Sequence, residues 1–200
     1  MSLIVDPVHG SGGTYIPRRG PKSFAEAGYC GRSFNQGMLR FHDSETGPNF
    51  RKLCFEAFPE LASLDKKADV LAFDWNGKQY LTAKLSGHKD LQVLVADLGS
   101  GTVEELASVA AFAAVLKLPE MDDYFGASLY DQWRERTGNA NSALGFTDCV
   151  SYHLPLNLGG EDNIDNLRMV DLDVAWTLGA QIRRQTAHLA PGERIDIRYD

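Results

Sequence analysis

The sequence predicts an α+β domain: a mostly antiparallel twisted sheet packed against several helices. Three observations point there. Strand-like and helix-like segments alternate in clusters. Asn76-Gly77 separates two apolar-rich runs, and this dipeptide is the strongest short hairpin signal because both residues tolerate positive φ. The 200 residues, 44% hydrophobic and 24% charged, suffice for one core without help from disulfides or metals.

Taken in order, residues 1–27 read as a loosely structured N-terminal arm, rich in glycine and proline and carrying Arg18-Arg19, and residues 28–200 as a single domain. Phe34–Phe41 reads as a strand. After the Gly47-Pro48-Asn49 turn, Phe50, Leu53, Cys54, Ala57 and Phe58 recur at helical spacing. That helix stops at Pro59, with an irregular turn at Glu60-Leu61. Ala68–Trp75 and Lys78–Leu85 are the strands around Asn76-Gly77. Leu91–Leu98 is apolar on both faces and predicts a central strand of an antiparallel meander.

Thr102 with Glu105 three residues on has the form of a capping box. A helix is therefore expected from Val103 to about Lys117, ending before Pro119, with alanines that pack closely on the sheet. A shorter helix is expected over Asp122–Arg136, with Leu129 and Trp133 at i and i+4, then a loop at Gly138–Asn141. Two strands follow, near 149–157 and 167–175, separated by the Gly159-Gly160 turn. A last helix is expected from about Trp176 to Leu189, with Leu178, Ile182 and Leu189 on one side, and Ile195–Ile197 as a short edge strand.

The net charge of −7 and pI near 5.2 disfavour nucleic acid and membrane as direct partners, since both select basic patches, and permit a basic protein partner. Cys30, Cys54 and Cys149 are odd in number and widely spaced, which fits buried thiols in a reducing compartment. No signal-peptide pattern opens the chain and no apolar run approaches a bilayer span, so a cytoplasmic protein is expected.

No set of residues in the sequence has the spacing that catalysis or metal binding needs. Cys149 and His153 lie four apart on a predicted strand, roughly 13 Å from each other, too far for a dyad. His42, His88 and His188 stand among non-ligand residues, and no zinc spacing occurs. Asp162–Asn166 lacks the spacing of a calcium loop, and Gly99–Thr102 lacks that of a phosphate loop. No catalytic residue, metal or cofactor is expected. The acids of the 149–176 segment are the remaining candidates. Glu161, Asp162 and Asp165 fall in its loop. Period-two alternation places Asp171 and Asp173 outward, with Val170, Leu172, Val174 and Trp176 inward. These five carboxylates form either a solvated face or a surface that receives a basic partner and steers its association.

The runs Pro155–Asp162, Asp165-Asn166-Leu167, Val170–Trp176 and Gly179-Ala180-Gln181 resemble the C-terminal half of the Tdi-type immunity proteins, from the bacterial type VI secretion group that often carries a GAD-like domain. Gly37–His42, Phe58-Pro59, Phe73–Gln79 and Asp97–Gly101 fit as well, so the resemblance covers roughly residues 28–195. A second resemblance is to the SMI1/KNR4-like immunity proteins. The first implies a cytosolic protein that neutralises a cognate secreted toxin, typically a DNase, by binding it. The rival reading is a small-molecule-responsive regulatory or housekeeping domain, with a pocket between sheet and helices around Trp75, Trp133 and Trp176.

Overall fold

The computed structural model describes residues 22–186. Its centre is a six-stranded antiparallel sheet made of β1 (Ser33–Phe34), β2 (Leu39–Phe41), β3 (Ala68–Asp74), β4 (Gln79–Ala83), β5 (Gln92–Asp97) and β6 (Thr102–Ser108). The strands lie in chain order, so the sheet is a meander. The Asn76-Gly77 hairpin forms as expected. Gly77 N–H donates to the Asp74 carbonyl at 3.0 Å, while the Asp74 carboxylate accepts from the Asn76 and Lys78 amides at 2.9 and 3.0 Å.

Alternation divides the sheet into two apolar faces. Val70, Phe73, Leu81, Leu94 and Ala96 belong to one core. It is covered by α2 (Thr46–Ala57) and α5 (Leu172–Thr186), whose Phe50, Leu53, Cys54, Ala57 and Trp176 are buried there. Tyr80, Val93 and partly buried Val95 belong to the other core. Its cover is shorter pieces: α1 (Lys22–Glu26), α3 (Val109–Val115), the 3-10 turn Met121–Phe125 and α4 (Ala127–Arg136).

A separate hairpin, β7 (Asp148–Tyr152) with β8 (Leu167–Asp171), and the α5 helix that follows it are tied to the β3–β4 turn by hydrogen bonds to main-chain carbonyls. Val150 N–H donates to the Trp75 carbonyl at 2.7 Å, Asn76 Nδ2 donates to the Val150 carbonyl at 2.7 Å, and Trp176 Nε1 donates to the Gly77 carbonyl at 2.8 Å. The fully buried Arg40 guanidinium donates to the carbonyls of Gly145, Asp148 and Asp74 and lies over the Phe73 ring. It thereby pins the lead-in to β7 against the sheet.

Several expectations need correction. Phe34–Phe41 is a hairpin, because Asn35, Gln36 and Gly37 all take positive φ and reverse the chain. Thr102–Ser108 is a strand rather than the start of a helix. Gly101, at φ +72, donates to the Asp97 carbonyl at 2.8 Å, and the reversal lays Thr102 beside Asp97 and Ser108 beside Gln92. The capping residue is instead Ser108, whose hydroxyl accepts from Ala111 N–H at 3.2 Å. The 122–136 stretch divides at Gly126 into a 3-10 turn and α4. The second strand of the 149–176 segment ends at Asp171, and α5 begins at Leu172. Val174 is consequently exposed, whereas Leu172, Trp176 and Ala180, four apart, form the buried stripe in place of Leu178 and Ile182. Residues 1–21 of the arm, with Arg18-Arg19, as well as Leu189 and the Ile195–Ile197 strand, lie outside the described residues, whereas Lys22–Glu26 of the arm form α1, whose Phe24 is buried in the core. No helix among the described residues is long and apolar enough to cross a membrane.

Candidate functional site

The incompletely covered face of the sheet holds a cleft of about 770 Å³. Tyr80, Val95 and Asp97 of the sheet line it, with Thr102, Glu104 and Leu106 of β6, Phe112 of α3, Tyr124 and Phe125 of the 3-10 turn, and Tyr152 and Asp162 of the β7–β8 hairpin. The volume is in the range of small-ligand sites.

Its polar groups are held by the elements that supply them. The tight β3–β4 turn sets Asp74, Lys78 and Tyr80 near one another. Tyr80 Oη donates to Asp74 Oδ2 at 3.0 Å. Lys78 Nζ lies 3.2 Å from Asp97 Oδ2, and Asp97 Oδ1 accepts from the Gly99 amide at 2.7 Å. Tyr152 Oη donates to Asp162 Oδ1 at 2.7 Å. Burial pushes the Asp74 carboxyl up to about 6, against the pull of Lys78 and its hydrogen-bond donors. Burial disfavours the Lys78 ammonium, but Asp97, Asp74 and Asp162 outweigh it and hold its pKa above the ordinary value. Burial and the bond to Asp162 hold the Tyr152 phenol well above its ordinary range. Asp74, Asp97, Glu104 and Asp162 thus face one lysine among the described lining residues, beside aromatic walls, while the Glu105 carboxylate lies 3.5 Å from His88 Nε2. Such a site favours a group that combines positive charge with an apolar stem.

The five predicted carboxylates are all exposed, but they do not form one patch of equivalent groups. Asp162 lines the cleft. Glu161 accepts from Asn163 Nδ2 at 2.7 Å, and Asp165 pairs with Arg136 of α4. Asp171 accepts from the Asp173 and Val174 amides at 2.9 and 3.2 Å and so caps α5, where an acid also suits the helix dipole. Asp173 accepts from Asn49 Nδ2 at 2.7 Å and stands on the first turn of α5, not on the outward face of a strand. The loop bearing the first three acids requires Gly160: a Cβ there would meet the Leu154 carbonyl oxygen at 1.9 Å.

Cys149 is sealed in the core, and burial pushes its thiol up to about 12. His42 is equally buried, between Thr46 Oγ1 at 3.1 Å and Gln79 Oε1 at 2.7 Å, and burial lowers its pKa to about 4. Among the described residues, no group of three or more His, Cys, Asp or Glu side chains is placed to hold a metal ion. Trp75 lines the cleft, whereas Trp133 and Trp176 are core residues. Sequence reasoning missed Asp74, Lys78, Asp97 and Glu104. The available signal was charge inside apolar strands, with Asp74 and Lys78 flanking the Asn-Gly turn.

No protein-family model and no curated protein matches the chain. Among solved structures, the crystal structure of Atu4351 from Agrobacterium tumefaciens is similar at a TM-score of 0.48 and 18% identity, over 74% of this chain and 69% of that one.

Proposed function

We propose that the chain is an immunity protein that binds a cognate type VI secreted toxin, a DNase, one to one in the cytoplasm and neutralises it by contact. The observation that carries this reading is the exposed acidic loop Glu161–Asp165 beside a cleft whose lining is also acidic. A nuclease presents a basic groove to DNA, and carboxylates at the mouth of this cleft complement such a surface in charge. Glu161, Asp162, Asp165, Asp171 and Asp173 are the contacts of this proposal. The resemblance of residues 28–195 to the Tdi-type group adds the identity of the partner.

The test is co-expression with the protein encoded by the neighbouring open reading frame. The expected result is rescue of growth together with a co-purifying one-to-one complex whose affinity falls as salt rises. Failure to rescue cells from a demonstrably active nuclease sinks the reading. Charge reversal is best made as Glu161→Lys with Asp162→Lys, since Asp171 also caps α5. The cleft beside Trp75 favours the small-molecule reading as a second one. A metabolite that raises the thermal midpoint, with no toxin bound, would select it.

A further inference from the structure

The sheet ends at β6, and the cleft runs along that strand: Thr102, Glu104, Glu105, Leu106 and Ala107 all line it. Among the described residues, no strand pairs with the outer edge of β6. An unpaired edge presents N–H and C=O groups that another extended chain can complete. At seven residues this edge is long, and most of it is solvent-exposed. Two apolar side chains stand open beside it. Leu106, the extra residue in the irregularity opposite Val93 and Leu94, is 51% exposed, and Tyr124 on the helical wall is 63% exposed.

Natural edges are commonly protected by charge or by bulges. Here Glu104 and Glu105 oppose pairing with a second copy, which would bring acidic pairs together. The same acids complement a strand of opposite charge. We propose that the outer edge of β6 and the adjoining cleft receive an extended, arginine- or lysine-bearing segment of the partner protein, which adds a seventh strand to the sheet. Main-chain bonds to β6 hold the segment. Alternate side chains enter the cleft, where their apolar stems meet Leu106, Phe112 and Tyr124 and their cationic tips meet Glu104 and Asp162. The inference rests on the reading of this chain as a binder of a basic protein, and it specifies where and in what form that protein is held.

Full-length protein is titrated with synthetic peptides of about nine residues. One alternates arginine with valine, one alternates glutamate with valine, and one is the arginine peptide methylated on alternate backbone nitrogens. The last keeps the charge and loses the donors. The arginine peptide is expected to slow amide exchange on β6 by about tenfold and to bind about tenfold tighter than either of the others. Glu104→Lys with Glu105→Lys, both exposed, is expected to weaken it by about fivefold at low salt with little change in thermal midpoint.

Three results overturn the proposal. They are slow exchange of all β6 amides in the protein without peptide, meaning that another part of the chain already covers the edge; equal binding of the methylated peptide, meaning that charge suffices; and no binding of the arginine peptide. A neutralised toxin complex that leaves β6 unprotected removes this docking mode while the immunity reading stands. Docking of the arginine peptide without toxin neutralisation does the reverse.

Discussion

One face of the six-stranded sheet is sealed and the other is not, although the same strands build both. Helices of twelve and fifteen residues, α2 and α5, cover the sealed face. The other is covered by helices of five, seven and ten residues and a 3-10 turn. A long helix offers a continuous apolar stripe, whereas short helices meet at their ends and leave gaps between them. The polar groups differ accordingly. On the sealed side His42 sits neutral between Thr46 and Gln79. On the open side Lys78 and Asp97 remain an ion pair, 14–36% exposed at the side chain, at the edge of the cleft. One sheet thus carries a closed core on one side and, on the other, a core left with an open cleft.

The largest test of this contrast is a pair of aromatic truncations. Trp176→Ala on the sealed face is expected to cost about 3–5 kcal/mol in urea unfolding, and Tyr124→Ala in the cleft within about 0.5 kcal/mol. Similar costs would show that the open face is packed as tightly as the other. The next test uses pH. Asp74 is raised from 3.8 to about 6, so the folded state keeps a proton that the unfolded state loses; its contribution to stability is full below pH 3.8 and lost as pH rises to about 6. His42 is lowered from 6.5 to about 4, so its contribution is full above pH 6.5 and lost as pH falls to about 4. The two slopes oppose each other in overlapping windows. His42→Gln should therefore unmask a loss of stability with rising pH, and Asp74→Asn a loss with falling pH. Each is about 2–3 kcal/mol across its window, read from denaturation midpoints at half-unit steps of pH.

Gly160→Ala is expected to cost about 1–2 kcal/mol, because the new methyl group must displace the Leu154 carbonyl. Exchange should quicken in the β7–β8 hairpin and stay unchanged in α2. Asp162→Ala removes the acceptor for Tyr152 and costs no more than about 1 kcal/mol. Its clearer signature is ultraviolet titration: the Tyr152 phenol should ionise at lower pH than in the parent protein.

Much of the sealed face was legible in the sequence because its signals are local. The stripe Phe50, Leu53, Cys54 and Ala57 named α2, and Asn76-Gly77 named the central hairpin. Thr102–Glu105 misled because a capping-box pattern is readable within four residues, while pairing with β5 is visible only once the Gly101 reversal is known. Val170–Trp176 misled in a related way. Its apolar alternation fits a strand, yet Asp171 starts a helix by accepting two amides just ahead of it. The cleft was illegible for a different reason. Asp74, Glu104, Phe112, Tyr124 and Asp162 come from separate elements, and no window of sequence contains them together.

The bonds that anchor the β7–β8 hairpin and α5 to the β3–β4 turn all end on main-chain carbonyls, those of Trp75, Val150 and Gly77, and their donors are the Val150 amide, Asn76 Nδ2 and Trp176 Nε1. None of these groups lies in residues 161–165, so this fastening does not depend on which side chains the loop displays. Residues 161–165 can accumulate substitutions, reversing charge or changing size, while the sheet beneath keeps its register. That separation lets the loop change in charge and size without each change risking the whole fold.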